Sequence, residues 1–191
     1  LKKNSKWNEN TWKLDVLARR ITAWTTNIGF LLAEQDEEFA SILKSNLKKQ
    51  IKHLNIFTTK KSLQRLDKIY EIESGSVKRF KILRGLLLSG ICFDGGNNTY
   101  KKSLSFLQAA ISHDFNDDGV HTSRLPSVQL TILADLVTMR DIMISAKLDV
   151  PDFLSMQIVK SSHSLRFFRS LDGTLSIFGG SKRESKFVID K

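Results

Sequence analysis

From Trp12 to Ala33, apolar side chains fall at Leu14, Leu17, Ile21, Trp24, Ile28 and Leu31. That spacing of three or four residues puts them on one face of a helix, with Arg19 and Arg20 beside or opposite the stripe. A second helix is predicted through Phe39, Ile42, Leu43, Leu47 and Ile51, with Lys44, Lys48, Lys49 and Lys52 mostly on its wet side. Asp36, Glu37 and Glu38 precede it, where carboxylates meet the positive end of the helix dipole. Polar Thr58-Thr59-Lys60-Lys61 leads to a third helix through Leu63, Leu66, Ile69 and Tyr70, after which Ser74-Gly75-Ser76 is expected to break the chain. The fourth helix, about Lys78 to Phe93, is apolar over most of its circumference and is expected to be the most buried.

Gly96-Asn97-Asn98 reads as a turn before a fifth helix through Leu104, Leu107 and Ile111. Asn116-Asp117-Asp118-Gly119 is the strongest loop signal, because Asn, Asp and Gly tolerate left-handed backbone geometry. The loop continues through His121, Arg124 and Pro126 to a sixth helix carrying Val128, Ile132, Leu133, Leu136 and Val137. Pro151 is expected to start the seventh, where its missing N–H costs little, with a stripe of Leu154, Ile158, Leu165 and Phe168. Asp172-Gly173 then turns the chain toward a short strand, Thr174 to Phe178; Ser176-Ile177-Phe178 and Phe187-Val188-Ile189 both read as strands just begun. About seven amphipathic helices with short turns make an all-α chain, and a bundle, a helical solenoid and an α/α toroid all fit the pattern. No fixed-period repeat separates the three.

Composition narrows the class. With 191 residues and 41% hydrophobic positions the chain suits one globular domain with a substantial core. Only 2 Pro and 10 Gly argue against an architecture of many tight turns. The balance of 30 Lys+Arg against 20 Asp+Glu leaves a formal charge of +10, which concentrates anions at the surface. Nucleic acid, anionic polysaccharide and acidic lipid are compatible partners, as is a plain solvated basic surface. The nucleic-acid reading is disfavoured, since there is no helix-turn-helix signature, aromatic-rich binding strand or arginine-rich tail. Cys92 is the one cysteine, so an internal disulfide and a cysteine-cluster metal site are excluded; its place in the apolar run Leu86–Phe93 suggests burial. That run is too short to span a bilayer. His53, His113 and His163 have no metal-ligand spacing, and no metal or cofactor is expected. No signal peptide is visible, and a chain running from Leu1 to Lys191 reads as a fragment or processed form.

Three stretches, in order along the chain, resemble the heparinase II/III family. They are Trp12-Lys13-Leu14-Asp15-Val16-Leu17-Ala18-Arg19-Arg20-Ile21-Thr22-Ala23-Trp24, the loop Asp118-Gly119-Val120-His121-Thr122-Ser123-Arg124-Leu125-Pro126, and Leu165-Arg166-Phe167-Phe168-Arg169-Ser170-Leu171-Asp172-Gly173-Thr174-Leu175-Ser176-Ile177-Phe178. The first is similar to an arginine-pair and tryptophan segment, the second to an Asp-Gly-Gly-His loop, and the third to the junction toward the family's β domain. The resemblance implies an incomplete α/α toroid over residues 1–170, with 171–191 as the junction and start of a β domain. It implies an anionic, uronate-containing polysaccharide cleaved by β-elimination, and a cell-envelope location, with the cytoplasm left open.

Uronate β-elimination needs a group to neutralise the carboxylate, a base for the C5 proton and an acid for the leaving oxygen. The family's asparagine falls near Val77 and its Tyr-His pair on Val128 and Gln129, none of which transfers a proton, and no tyrosine follows Tyr100. His121 remains as the candidate catalytic residue, and Arg124 as a planar fork for carboxylate or sulfate. Alternatively, Asp118 and Gly119 shape the turn and His121 packs it. Trp12 and Trp24 are candidates for stacking sugar rings; helical spacing favours the core for Trp24 and leaves Trp12 the better exposed of the two. Lys78, Arg79, Lys81 and Arg84 form the densest cationic group on one helix, read either as a solvated face or, through Lys78 and Arg79, as substrate contacts. The implied activity is a polysaccharide lyase, active or not; a non-catalytic glycan-binding protein and a basic nucleic-acid-binding domain are the alternatives.

Overall fold

The computed structural model describes residues 7–33, 36–93 and 95–177. Among these the chain is all-α, with eight helices: α1 (Leu14–Thr26), α2 (Ile28–Leu32), α3 (Glu37–Phe57), α4 (Lys60–Ile69), α5 (Ile72–Cys92), α6 (Asn97–Asp114), α7 (Pro126–Ser145) and α8 (Asp152–Phe167). None of the described helices is long and apolar enough to cross a membrane.

α5 lies at the centre because it is apolar on nearly every side. It packs against α1, α3, α4, α6 and α7, and α8 packs mainly on α7. Phe80, Leu83, Leu86 and Leu87 of α5 meet Leu17 and Ile21 of α1, Leu107 of α6 and Ile132, Leu136 and Met139 of α7 in one core. Each such side chain contributes on the order of 1.5–3 kcal/mol on leaving water. The outer helices keep one-sided stripes: α3 turns Leu43, Leu47 and Leu54 inward and Lys44, Lys48, Lys49 and Lys52 outward. Asp36 caps α3, accepting from the Phe39 N–H at 2.8 Å, and Thr59 and Ser62 form a reciprocal capping box on α4.

Several boundaries differ from the pattern. The Trp12–Ala33 helix is divided at Asn27, whose backbone leaves the helical region while its side-chain amide donates to the Ala23 carbonyl at 2.8 Å. Thr26, whose hydroxyl donates to the Thr22 carbonyl, and Asn27 both make such local hydrogen bonds, and these compete with the helix ladder. Ser74-Gly75-Ser76 does not break the chain but lies inside α5. There the lack of a side chain at Gly75 admits the end of α4, since a Cβ would stand 3.2 Å from the Leu66 carbonyl oxygen. Cys92 is exposed rather than buried, because it falls on the last turn of α5 as that helix leaves the core. The strand expected from Thr174 is, over the described residues, an isolated Arg169–Leu175 bridge closed by Gly173 at φ 82°. Phe178 and Phe187-Val188-Ile189 lie outside the described residues.

Candidate functional site

The acidic bend joins α6 to α7. Gly119 takes φ 81°, its N–H donates to the Asn116 carbonyl at 2.9 Å, and the Asp118 carboxylate accepts from the Val120 N–H at 2.9 Å. Its inner side is covered. A Cβ on Gly119 would stand 2.4 Å from the Lys160 Cβ on α8, so only glycine fits between bend and helix. Gln129 of α7 donates to the Gly119 carbonyl at 2.8 Å and accepts from the His121 N–H at 2.7 Å. Ser164 of α8 donates to the Asp118 carbonyl at 2.9 Å, and Lys160 to that of Asp117 at 2.9 Å. The bend is thereby fastened to α7 and α8.

His121, the candidate base, has 0% exposure. Its Nδ1 accepts from the Ser123 N–H at 3.1 Å, which places the proton of the neutral ring on Nε2. Among the described residues Nε2 is buried without a hydrogen-bond partner, and the ring stands edge-on to Phe115 with centroids 5.5 Å apart. Burial is the main force holding its pKa below the ordinary histidine value; Asp114 and Glu73 pull upward, and Arg79 pushes further down. Val128 and Gln129, at the places of the resembled Tyr-His pair, are also buried. An imidazole sealed in this way packs the bend and has no surface open to solvent.

The cationic group on α5 divides. Arg79, expected at a glycan-facing surface, is only 4% exposed; it pairs with both carboxylate oxygens of Asp114, at the end of α6, and with Asp67 of α4. Burial opposes the guanidinium's charge, but the two carboxylates outweigh it and hold the pKa above its usual value. Arg84 is likewise paired, with buried Asp135 of α7. Lys78 lies 2.9 Å above the Tyr70 ring centroid. Above Arg79 a cavity of about 270 Å³ opens between α4 and α6, lined by Leu63, Asp67, Phe106, Ala110 and His113 among others. At its rim His113 Nδ1 lies 2.7 Å from Asp114 Oδ1, and Nε2 lies 3.9 Å from Asp67 Oδ2.

Sequence reasoning missed this His113–Asp114–Arg79–Asp67 group. The signal was present: Arg79 stands at helical spacing from Leu83 and Leu86, on the buried face, where a charge needs a partner. Arg124 is exposed beyond the bend with φ 55°, a left-handed backbone held by its N–H donating to the His121 carbonyl at 2.8 Å. Trp12 and Trp24 are both half-buried against the core. Trp12 stands edge-on to His53, and His53 stacks on Phe57, so one aromatic row runs to the surface at the end of α3. None of the three cavities described among these residues is lined by His121, Arg124, Trp12, Trp24 or Lys78. Among the described residues no group of three or more His, Cys, Asp and Glu is placed to hold a metal.

The chain is similar to FtsZ-localized protein C of Caulobacter vibrioides (strain NA1000 / CB15N), with 27% identity over 179 residues, which is 93% of this chain and 28% of that protein. It thus spans little more than a quarter of that relative's length. No family model and no solved structure matches the chain.

Proposed function

We propose that this chain is a helical portion of a heparinase II/III-like protein, an incomplete α/α toroid leading toward a β domain, and that it binds an anionic, uronate-containing polysaccharide without cleaving it. The binding half rests on the outer face of α3. Lys44, Lys48 and Lys52 are exposed there at four-residue intervals, three cations over about 12 Å at 1.5 Å per residue. Such a row meets a polyanion with little desolvation. The non-cleaving half rests on one observation, the complete enclosure of His121, the one histidine that the family resemblance offers as a base.

The test is titration of the full chain with heparin-like and alginate-like polymers, scored for binding and for the absorbance of a new C=C bond. Binding that an equal charge of DNA does not displace, that weakens about tenfold on Lys44→Ser/Lys48→Ser/Lys52→Ser, and that brings no absorbance change is expected. Equal affinity for DNA and glycan would overturn the glycan reading, and absorbance from the unsaturated product would overturn the non-cleaving one. A second reading draws on the relative, whose name places it with FtsZ: this chain would be an interaction module of a cell-division assembly. Co-sedimentation with FtsZ polymers that survives excess glycan would favour that reading.

A further inference from the structure

The cavity between α4 and α6 holds two acceptors that do not satisfy each other. His113 Nδ1 lies 2.7 Å from Asp114 Oδ1. Asp114 is wholly buried and paired with Arg79, so its carboxylate accepts, Nδ1 carries the proton and Nε2 keeps a lone pair. Nε2 faces Asp67 Oδ2 at 3.9 Å, too far for a hydrogen bond and near enough for one donor to sit between. Asp67 Oδ1 is taken by Arg79, and among the described residues Oδ2 accepts no hydrogen bond. One guanidinium against the carboxylates of Asp67 and Asp114 leaves a net negative charge here, on a chain whose formal charge is +10. Beside it, Leu63, Phe106 and Ala110 make an apolar wall in a space of about 270 Å³.

We propose that this cavity binds a primary ammonium group carried on a short aliphatic stem. The ammonium stands between His113 Nε2 and Asp67 Oδ2, about 2.9 Å from each, and its charge offsets the unbalanced carboxylate. The stem lies along Leu63, Phe106 and Ala110. An anion would face two carboxylates, since Arg79 already pairs with both through its terminal nitrogens. A guanidinium is the poorer cation, because its parallel N–H fork suits the two oxygens of one carboxylate, not acceptors 3.9 Å apart. A water molecule between the acceptors would leave the charge and the apolar wall unanswered. Lys60 also lines the cavity, but it stands seven residues or about 10.5 Å along α4 from Asp67, at the far end of the stem. A free alkylamine and the lysine side chain of a partner protein present the same group. The site is apart from the lysine row on α3 and does not rest on the glycan reading.

The full chain is titrated with pentylamine, pentanol and pentanoate at mildly alkaline pH, where imidazole is neutral and an alkylamine charged. Calorimetry gives affinity, and the His113 ring resonances in NMR place the ligand. Saturable binding of pentylamine with a Kd on the order of 1 mM is expected, with at least about tenfold weaker binding of the other two. Asp67→Asn should weaken pentylamine about tenfold, and Ala109→Phe, which fills the cavity from an exposed position of α6, should abolish binding. Circular dichroism checks that both variants keep the fold; the ranking of the three probes on the unaltered chain needs no variant. Lys44→Ser/Lys48→Ser/Lys52→Ser should bind pentylamine as the parent does, so loss of glycan binding and loss of amine binding are read separately. A blocked Gly-Lys-Gly peptide, with norleucine in place of lysine as control, separates the sources. Binding within about tenfold of pentylamine assigns the site to a protein lysine, and no binding assigns it to a free amine. Pentanol or pentanoate binding as well as pentylamine, no saturable binding at all, or full binding by Asp67→Asn overturns the proposal.

Discussion

Two histidines flank one carboxylate and have opposite fates. His121, in the bend, is sealed beneath Phe115 and within the electrostatic reach of Asp114, while His113, one residue before Asp114, stands at the surface with its Nδ1 2.7 Å from that carboxylate. The Arg79–Asp114 pair is the wall between them. On its inner side the His121 N–H and the Gly119 carbonyl are tied to Gln129; on its outer side the cavity between α4 and α6 leaves Asp67 and His113 in reach of water. The same ion pair thus closes a structural region and floors an accessible one. A charge near a histidine does not mark a site; access to the histidine does.

Removing the wall should have the largest effect. Arg79→Met leaves Asp114 buried without its guanidinium partner, at a cost of about 3–5 kcal/mol. Urea unfolding should show it as a large drop in midpoint. A loss below about 1 kcal/mol would mean that water already reaches Asp114 and that inner and outer regions are not separate. Asp67→Asn, on the outer side, is expected to cost far less, since that carboxylate is partly solvated.

The next effect belongs to the inner side. Gln129 serves His121 N–H, the Gly119 carbonyl and, at 3.4 Å, the Ser161 carbonyl. Gln129→Leu leaves the buried His121 N–H without its acceptor and the Gly119 carbonyl with Ser161 Oγ at 3.2 Å, for a loss of about 1–3 kcal/mol. Hydrogen exchange should quicken at His121 and around the bend before it quickens in α1. Uniform quickening would show that the bend is no separate unit.

These residues also show what the sequence could convey. The helices were legible because their stripes are local, and Asn116–Gly119 was legible as a turn because the required backbone geometry selects those residue types. What covers the turn was not legible, since Ser161, Ser164 and Lys160 reach it across more than forty residues of chain. Arg79 was misplaced for a different reason. Its position on the apolar face was visible, but its neighbours Lys78 and Lys81 suggested a solvated cluster, and the compensating Asp67 and Asp114 come from other helices. The division of α1 from α2 turned on Asn27, whose side-chain bond to Ala23 is a choice between two local structures that periodicity cannot weigh.

Acid should report on the enclosed His121 without mutating the wall. An unfolded histidine titrates near about 6.5, and burial sets folded His121 lower. Between those values the unfolded chain binds a proton that the native chain refuses, so stability is full above about pH 6.5 and falls as pH drops through this window. The slope from one such group is at most about 1.4 kcal/mol per pH unit. His53, also lowered by burial, adds in the same direction, so the informative quantity is the difference between the wild-type slope and that of His121→Gln. A flatter profile for the variant is expected; identical profiles would mean that His121 is protonated in place.

The smallest effect is the sharpest check on the comparison. His113→Ala removes the outer histidine from the same carboxylate, yet leaves Asp114 paired with Arg79 and exposes no apolar core. The His113 side chain is 59% exposed, and its change should fall within the ordinary scatter of surface substitutions, about 0.5 kcal/mol. Thermal melts of His113→Ala and His121→Gln side by side give the contrast directly, one near wild type and the other clearly lower. Equal losses would mean that His113 is as deeply committed to the fold as His121, and the cavity between α4 and α6 would then be another sealed joint and not an accessible one.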